Sequence, residues 1–176
     1  MIVTDRLILA TWRDEHRAPM AAINADAEVM RFFFSTLTRA ESDAQIDRQL
    51  AAQAEHGFCF WPVERRDTRE LLGICGLKTG APGTPIEHDL EIGWRLGRHG
   101  WGHGFATEAA RAALTHGFAD PAVPRIAAIT TASNAKSWAV MERLGMTRRH
   151  DLDFEHPALP PGHPVRPHIT YFIDRS

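Results

Sequence analysis

The chain has 176 residues, of which 44% are hydrophobic and 24% are charged, and its formal net charge at pH 7 is -2. A chain of this length can bury one ordinary hydrophobic core, so we predict a single domain over residues 1–176. The near-balanced charge disfavours a nucleic-acid partner, because nucleic-acid-binding proteins usually carry a clustered basic face.

No targeting or membrane segment stands out. The first apolar run is short and is followed at once by charges, unlike a signal peptide, and no stretch approaches the ~20 apolar residues that span a membrane. We therefore predict a cytoplasmic protein with no membrane partner. Cys59 and Cys75 lie in apolar, strand-like surroundings and are predicted to be buried; a disulfide or a nucleophilic role is the less favoured alternative.

The first half of the chain combines helical spacing with a group of extended segments. In a longer helix, Thr38 and Glu41 form a capping-box pattern at the start, and Gly57 is placed to end the helix. Three extended segments follow and are joined by short loops, which predicts an antiparallel meander. The predicted elements, in order, are a strand, one or two short helices, the longer helix and three strands, at 6–12, 14–33, 38–57, 58–64, 70–79 and 86–96.

The third extended segment alternates between largely apolar and polar side chains. We predict that one side of this strand faces the core and that the other forms an acidic face. The core side holds Ile86, His88, Leu90, Ile92, Trp94 and Leu96, and the other side holds Glu87, Asp89, Glu91, Gly93 and Arg95.

The second half of the chain alternates helices with strands. A glycine-rich segment leads into a helix at 104–118, and a second helix at 134–144 is predicted to end at Gly145. The order of elements describes a mixed α/β sheet, antiparallel first and then crossed over by helices. The remaining predicted elements are strands at 125–131, 147–152 and 169–174 and a Pro- and His-rich loop at 153–168.

Four glycines lie between positions 97 and 104, directly before a helix with an apolar stripe. Glycine lets a ligand approach the backbone closely, and a helix N-terminus offers unpaired N–H groups, so this segment predicts a site for an anion such as phosphate. The alternative is a glycine-rich turn that only joins a strand to a helix. The glycine spacing does not fit a dinucleotide fingerprint, and the Gly-Lys-Ser/Thr sequence of a P-loop is absent.

The segment Trp101–Ala110, with the sequence WGHGFATEAA, resembles the acyl-coenzyme A pyrophosphate loop of the GNAT acetyltransferase superfamily. Gly104 and Ala106 match the superfamily pattern Gln/Arg-x-x-Gly-x-Gly/Ala, whereas a tryptophan stands at the Gln/Arg position. A second segment, Asn134–Met146, is similar to a block of the RimJ/RimL-like branch, the ribosomal-protein N-terminal acetyltransferases. The segments TDRLILATWRDEH, LLGICGL and LEIGWRL also resemble their counterparts in that branch, so the resemblance covers nearly the whole chain.

The resemblance implies a GNAT-like α/β fold: a mixed, mostly antiparallel sheet with a splayed centre, flanked by helices on both faces. It also implies acetyl-coenzyme A as cosubstrate and no metal. The backbone of the splayed strand would pair with the pantetheine arm, Asn134 would hydrogen-bond that arm, and Ser137 would protonate the leaving thiolate. The residues implied in cofactor binding are Trp94, Arg95, Leu96, Trp101, Gly102, His103, Gly104, Phe105, Ala106, Thr107, Asn134, Ser137 and Arg143.

Several of these residues also have a plain structural interpretation. Asn134 is a good helix N-cap, and Ser137 can be an ordinary polar helix residue. Glu91 can belong to a solvated strand face; the functional alternative is that it accepts the proton of an acceptor amine, directly or through a water. Acidic groups on that face mildly favour a cationic acceptor, and by the resemblance the long loop 153–167 would lie near the acceptor.

The leading hypothesis is an acetyl-coenzyme A-dependent N-acetyltransferase in which an acceptor amine attacks the thioester directly, with Glu91, Ser137 and Asn134 in the reaction. Two alternatives stay open: an acyl-coenzyme A sensor without transferase activity, and an enzyme that acetylates a small amine, such as an antibiotic or polyamine, rather than a protein N-terminus. A homodimer is compatible with each. A metal site is disfavoured, because His99 and His103 lie among glycines and no ligand motif is present.

Overall fold

The structure is a computed structural model that describes residues 1–175; Ser176, and with it the predicted domain end, lies outside the described residues. The helices are α1 (Arg17–Ala25), α2 (Ala27–Met30), α3 (Arg39–His56), α4 (Phe105–Gly117) and α5 (Ala135–Arg143). The strands are β1 (Ile2–Val3), β2 (Leu7–Leu9), β3 (Phe60–Arg65), β4 (Leu71–Thr79), β5 (Leu90–Leu96), β6 (Arg125–Thr131), β7 (Thr147–Arg148), β8 (Phe154–Glu155) and β9 (Pro167–Asp174).

The strands of residues 1–175 form one sheet that is antiparallel except at one place. Its order is β1-β2-β3-β4-β5-β6-β9-β7, and β8 pairs with β9. Among these pairs only β5 and β6 run parallel, because α4 crosses over between them. The prediction of a mixed, mostly antiparallel sheet is confirmed.

Two of the predicted strands are divided or shortened. The strand predicted at 6–12 is shortened to β2, and the unpredicted β1 pairs with it in a hairpin closed by Thr4 N–H donating to the carbonyl of Leu7 at 3.0 Å. The strand predicted at 147–152 ends after β7, and His150–Leu152 form a 3-10 turn instead.

The boundaries of α3 follow the capping signals. The hydroxyl of Thr38 accepts a hydrogen bond from the N–H of Glu41 at 3.2 Å, and the Glu41 carboxylate accepts one from the N–H of Thr38 at 2.7 Å. Gly57 ends the helix with a φ of 79°, in the left-handed region that favours glycine. The predicted start and stop of this helix are confirmed.

β5 is shorter than predicted. It begins at Leu90, because the preceding residues form a turn closed by local hydrogen bonds. The N–H of Glu87 donates to the carbonyl of Thr84 at 3.2 Å, and the Glu87 carboxylate accepts from the N–H of Gly83 at 2.7 Å. The alternation predicted over 86–96 therefore holds only from the start of the strand onward.

The side chains of β5 divide the sheet into two faces, which we call the α4 face and the α3 face. On the α4 face, Gly117 lies so close to Ile126 and Leu77 that a Cβ there would meet them at 2.8 and 2.9 Å. On the α3 face, Arg95 donates a hydrogen bond to Gln45 of α3 at 2.7 Å. Leu90, Ile92, Trp94 and Leu96 thus belong to the α4 face, and Glu91, Gly93 and Arg95 belong to the α3 face.

The sheet opens between β5 and β6. The two strands pair only near their starts, with Leu90 opposite Ile126 and Glu91 opposite Ala127. Both continue for several residues without further pairing between them, while β4 and β9 still cover their outer edges. Each strand therefore offers one edge to the opening, and the splayed centre implied by the resemblance is present.

A buried carboxylate on β3 contacts the segment before α1, where Asp14–His16 form a 3-10 turn. Glu64 is fully buried, and its Oε1 lies 2.6 Å from Arg13 Nη2 and 2.7 Å from His16 Nε2. Its Oε2 lies 2.9 Å from Arg69 Nη2. Three partners around one buried carboxylate stabilise this edge of the sheet, provided that all of them remain.

Replacing Glu64 by glutamine should lower the free energy of unfolding by about 2 kcal/mol, because a neutral amide cannot compensate the two guanidinium groups around it. Urea denaturation measures this difference. Glu55→Gln is the control, since the Glu55 side chain is 74% exposed and should leave stability within about 0.5 kcal/mol of wild type. Equal stability of both variants would contradict the assigned role of the cluster.

Candidate active site

β5 presents unpaired peptide groups to the opening of the sheet. At the end of the strand, Gly97 N–H donates to the carbonyl of Leu72 in β4 at 2.8 Å. Peptide groups alternate in direction along a strand, so those of every second residue face the opening instead. The residues on this edge are Ile92, Trp94 and Leu96, and an extended ligand can pair with it up to the carbonyl of Leu96, which already accepts from Trp101 Nε1–H at 2.8 Å.

The predicted cofactor contact at Arg95 differs from its neighbours. By the same alternation, the peptide group of Arg95 faces β4, where Arg95 is paired with Ile74. Trp94 and Leu96 keep backbone groups on the opening, as the resemblance implied. The side chain of Arg95 points to the α3 face, away from the opening, and contacts Gln45 of α3.

The glycine-rich segment before α4 presents a row of free backbone amides. Gly102 and Gly104 have φ values of 81° and 78°, which glycine adopts without strain. Within residues 1–175, no acceptor is found for any amide of 102–107, and α4 begins at Phe105 with the positive end of its dipole. The predicted residues Gly102, His103, Gly104, Phe105, Ala106 and Thr107 therefore leave consecutive backbone amides available to an anion.

Two positively charged side chains flank this segment. Arg6 donates from Nη1 to the carbonyl of His103 at 3.0 Å and is held by Glu108 of α4, whose carboxylate lies 2.6 Å away. Lys136, on the first turn of α5, places its Nζ 4.5 Å from the centre of the Trp101 ring. Both cations come from distant parts of the chain, so the glycine pattern carried no signal for them.

Trp101 fastens the glycine-rich segment to both sides of the opening. Its Nε1–H donates to the carbonyl of Leu96 at 2.8 Å, and its ring lies against Lys136 of α5. The side chain at the Gln/Arg position of the pattern thus bonds to the protein itself. It orders the loop.

Replacing Trp101 by alanine should weaken acetyl-coenzyme A binding about tenfold, because one hydrogen bond and one cation–π contact that order the loop are lost together. Trp101→Phe keeps the ring and removes only the N–H donor, so a loss of about threefold is expected. Titration calorimetry compares the two dissociation constants with that of wild type. Unchanged affinity in the alanine variant would show that the tryptophan has another role.

Asn134 and Ser137 lie on the β6 side of the opening. Asn134 precedes α5 but its side chain does not cap the helix; its Nδ2 donates to Thr130 Oγ1 of β6 at 3.1 Å. The interpretation of Asn134 as a side-chain N-cap is therefore wrong. Half-buried Ser137 follows on the first turn, and its N–H donates to the carbonyl of Asn134 at 3.0 Å. The contact of Lys136 with Trp101 joins this turn to the amide row.

Arg143 is not brought to this site. It is the last residue of α5 and is exposed, about 9 Å along the helix from Ser137. Its carbonyl accepts a hydrogen bond from Arg111 of α4 at 3.1 Å. No contact among residues 1–175 directs its side chain to the amide row.

Glu91 is a buried carboxylate where β5 and β6 separate. It is 7% exposed, and its Oε2 lies 3.0 Å from Nζ of Lys78, the residue opposite it on β4. Burial raises the pKa of the Glu91 carboxyl, and the ammonium group of Lys78 acts against that shift. A carboxylate with a raised pKa is a stronger base, which suits proton acceptance from an amine.

The polar side of β5 is not the acidic face that the sequence predicted. Asp89 forms an ion pair with Arg125 at 2.8 Å, and Glu91 pairs with Lys78. Arg95, on the same face as Glu91, is buried without a carboxylate partner among residues 1–175. With Glu87 included, the three carboxylates of this side are balanced by Lys78, Arg125 and Arg95, so the argument for a cationic acceptor no longer stands.

Two loops meet above the α3 face. Phe33, on the turn after α2, places its ring 5.0 Å from the guanidinium carbon of Arg95. The neighbouring Phe34 makes an edge-to-face contact with His156 of the Pro- and His-rich loop, 5.4 Å between ring centres. His168 of β9 lies 4.9 Å from His156, and burial lowers the pKa of both imidazoles. The long loop thus contributes uncharged rings to one side of the α3 face at neutral pH.

The remaining chemical groups are structural. Cys59 and Cys75 are free and buried, as predicted; burial raises the pKa of Cys59 to about 12 and also raises the pKa of Cys75. In residues 1–175, no group of three or more His, Cys, Asp or Glu side chains is arranged to hold a metal ion. No helix in the described part of the chain is long and apolar enough to cross a membrane.

Fold and site together define an acyltransferase, with a sheet that opens beside a free strand edge and an amide-rich helix N-terminus. Residues 6–147 match the family model described as acetyltransferase (GNAT) domain. The chain therefore belongs to the GNAT acetyltransferase family, and its activity is that of an N-acetyltransferase.

Known proteins similar to this chain include one relative by sequence and two solved structures that share its fold. A Bacillus subtilis protein described as the uncharacterized N-acetyltransferase YoaA is 28% identical over 151 residues, which cover 84% of this chain and 83% of YoaA. A GNAT-family acetyltransferase from Bacillus anthracis has the same fold, with a TM-score of 0.81 at 24% identity over 98% of this chain and 97% of that one. RimL, a ribosomal L7/L12 α-N-protein acetyltransferase solved with coenzyme A, has a TM-score of 0.76 at 16% identity over 98% and 96%.

Proposed function

We propose that this protein is a single-domain, cytoplasmic acetyltransferase that transfers the acetyl group of acetyl-coenzyme A to an amine. The observation that carries the proposal is the opening between β5 and β6, which places a free strand edge beside the free amides of 102–107. The phosphates of the cosubstrate would bind these amides, with Arg6 and Lys136 alongside. The extended pantetheine arm would pair with β5 like an added strand, and Asn134 would hydrogen-bond it from the other side.

The residues present supply the proton movements that this reaction needs. An acceptor enters as an ammonium ion and loses one proton to Glu91, directly or through a water. The neutral nitrogen attacks the thioester carbonyl carbon, a C–N bond forms and the C–S bond breaks. The nitrogen releases its second proton to solvent, and the leaving thiolate takes a proton from Ser137, which recovers one from solvent.

Two acceptor classes are supported by different observations. The resemblance to the RimJ/RimL-like branch, and the likeness to RimL, support a protein N-terminus. The contact between Phe34 and His156 supports a small amine, because these two loops narrow the access to the α3 face. The sensor alternative lacks such support, since a sensor needs neither a buried base nor a hydroxyl beside the thioester.

A thiol-release assay with acetyl-coenzyme A tests the proposal. The acceptors are N-terminal peptides, lysine peptides, polyamines, aminoglycosides and amino acids, each at the same concentration. We expect release that depends on one acceptor class and that falls in the Ser137→Ala variant. Release that is the same with and without every acceptor, despite cosubstrate binding, would instead support the sensor.

A further inference from the structure

Arg95 is a buried cation without a counter-ion in the described part of the chain. It is 6% exposed, and burial lowers the pKa of its guanidinium to about 10. Its Nη2 donates to Gln45 Oε1 at 2.7 Å, but its Nη1 reaches only the sulfur of Met30 at 3.5 Å and its Nε has no partner. A buried charge is costly unless a second group pairs with it, and within residues 1–175 that group is missing.

The neighbours of Arg95 orient its guanidinium without neutralising it. Gln45 Oε1 lies 3.3 Å from Asn24 Nδ2, which in turn donates to Ser42 Oγ at 2.8 Å. Asn24 and Ser42 are fully buried. A buried chain of hydrogen bonds that ends on one guanidinium holds that group in a fixed position, which is what a binding group requires.

Arg95 also lies where an acceptor would lie. It shares strand and face with Glu91, and the Cα atoms of two residues four positions apart in a strand are about 13 Å from one another. Outside the guanidinium lies the ring of Phe33, which is 40% exposed and belongs to a short turn. A partly exposed ring therefore lies over the guanidinium on the α3 face.

We propose that Arg95 binds an anionic oxygen group, foremost a carboxylate, of the acceptor whose amine lies at Glu91. A carboxylate can accept two parallel hydrogen bonds from a guanidinium, and it would supply the missing negative charge when Phe33 moves aside. The proposal rests on the acetyltransferase function proposed above and specifies its acceptor. That acceptor is an amine with a carboxylate within about 10 Å, such as an amino acid or an acidic peptide, rather than a polyamine.

Pairs of acceptors that differ only in a negatively charged group test whether the enzyme prefers an anionic acceptor. Thiol release is measured with Ala-Glu-amide against Ala-Gln-amide, with β-alanine against its amide, and with phosphoethanolamine against ethanolamine. We expect kcat/KM to be about 10- to 100-fold higher for the charged member of at least one carboxylate pair, mainly through a lower KM. A preference confined to the phosphate pair would retain the anion site and replace the carboxylate by a phosphate.

Gln45→Glu tests whether Arg95 causes the preference. Both contacts of Gln45 Oε1 are accepting ones, so a carboxylate keeps them and supplies Arg95 with an internal counter-ion. We expect the variant to have a higher melting temperature and to lose most of the preference for the charged acceptor. A purely structural Arg95 predicts the higher melting temperature with the preference unchanged, which would overturn the proposal.

Gln49→Glu is the matched control. Gln49 lies one turn further along α3, and its Oε1 also only accepts, from Phe60 N–H at 2.8 Å. The Gln49→Glu variant adds the same charge away from Arg95, so it should keep the preference for the charged acceptor. If the wild-type protein acetylated the charged and uncharged acceptors of each pair at equal rates, the anion site at Arg95 would be overturned and the proposed function would stand. Failure of every acceptor to release thiol would overturn the proposed function as well.

Discussion

Replacing Gly104 by valine should weaken acetyl-coenzyme A binding by about 100-fold. Gly104 has a φ of 78°, where a β-branched residue is strained by about 1–3 kcal/mol. Valine should therefore turn the backbone out of this conformation and rotate the amides of 102–107 away from their common surface. A Cβ at this position would lie 3.6 Å from Arg6 Nη2, which is an ordinary contact, so the Cβ itself fits within the protein.

Gly57→Val controls for the strain itself. Gly57 has a φ of 79° at the end of α3, and a Cβ there would meet nothing within 4 Å. Both variants should lose similar thermal stability, but only the change at Gly104 should alter the dissociation constant measured by calorimetry. Equal affinities in the two variants would contradict the assignment of the amide row.

Replacing Glu91 by glutamine should lower kcat/KM by about 100-fold at pH 7 for a primary alkylamine acceptor. An alkylamine with a pKa near ~10.4 is almost entirely protonated at neutral pH, so its reaction depends on a base. As pH rises, the free amine increases about tenfold per unit and needs that base less, so the difference between variant and wild type should shrink. The measurement is the pH profile of thiol release for both proteins.

The raised pKa of Glu91 adds a second expectation. A base must be ionised to act, so wild-type kcat/KM should fall as pH drops through a pKa above the ordinary range of a glutamate, and the variant should lack this step. Glu87→Gln is the control, because its carboxylate accepts from Gly83 N–H, which an amide can also do, and its other contact is with the exposed ring of His88. A deficit in Glu91→Gln that stays constant at every pH would argue for a structural role instead.

Local signals were sufficient for much of the fold. The capping box of Thr38 and Glu41 and the stop at Gly57 marked α3, because a helix end depends on only a few neighbouring residues. Short loops predicted the antiparallel meander for the same reason. The start of β5 was misplaced, because the hydrogen bonds of Glu87 that form the preceding turn leave the apolar alternation unchanged.

The candidate site was only partly predictable, because its charges are set by contacts between distant segments. The glycine spacing located the amide row, since those amides are consecutive. Nothing in the pattern of β5 showed that Lys78 pairs with Glu91, or that Phe33 covers Arg95. Alternation distinguishes the two sides of a strand, but it does not show what packs on each side. The expected acidic face is instead charge-balanced, by Lys78, Arg125 and Arg95.

The central claim is that the opening between β5 and β6, with the amides of 102–107, binds acetyl-coenzyme A. Titration calorimetry of the unmodified protein with acetyl-coenzyme A tests it most directly. We predict one site per chain with a dissociation constant of at most about 0.1 mM, within the usual range for an enzyme and its substrate. Absence of binding heat at millimolar acetyl-coenzyme A, in a protein that is folded by circular dichroism, would contradict the claim.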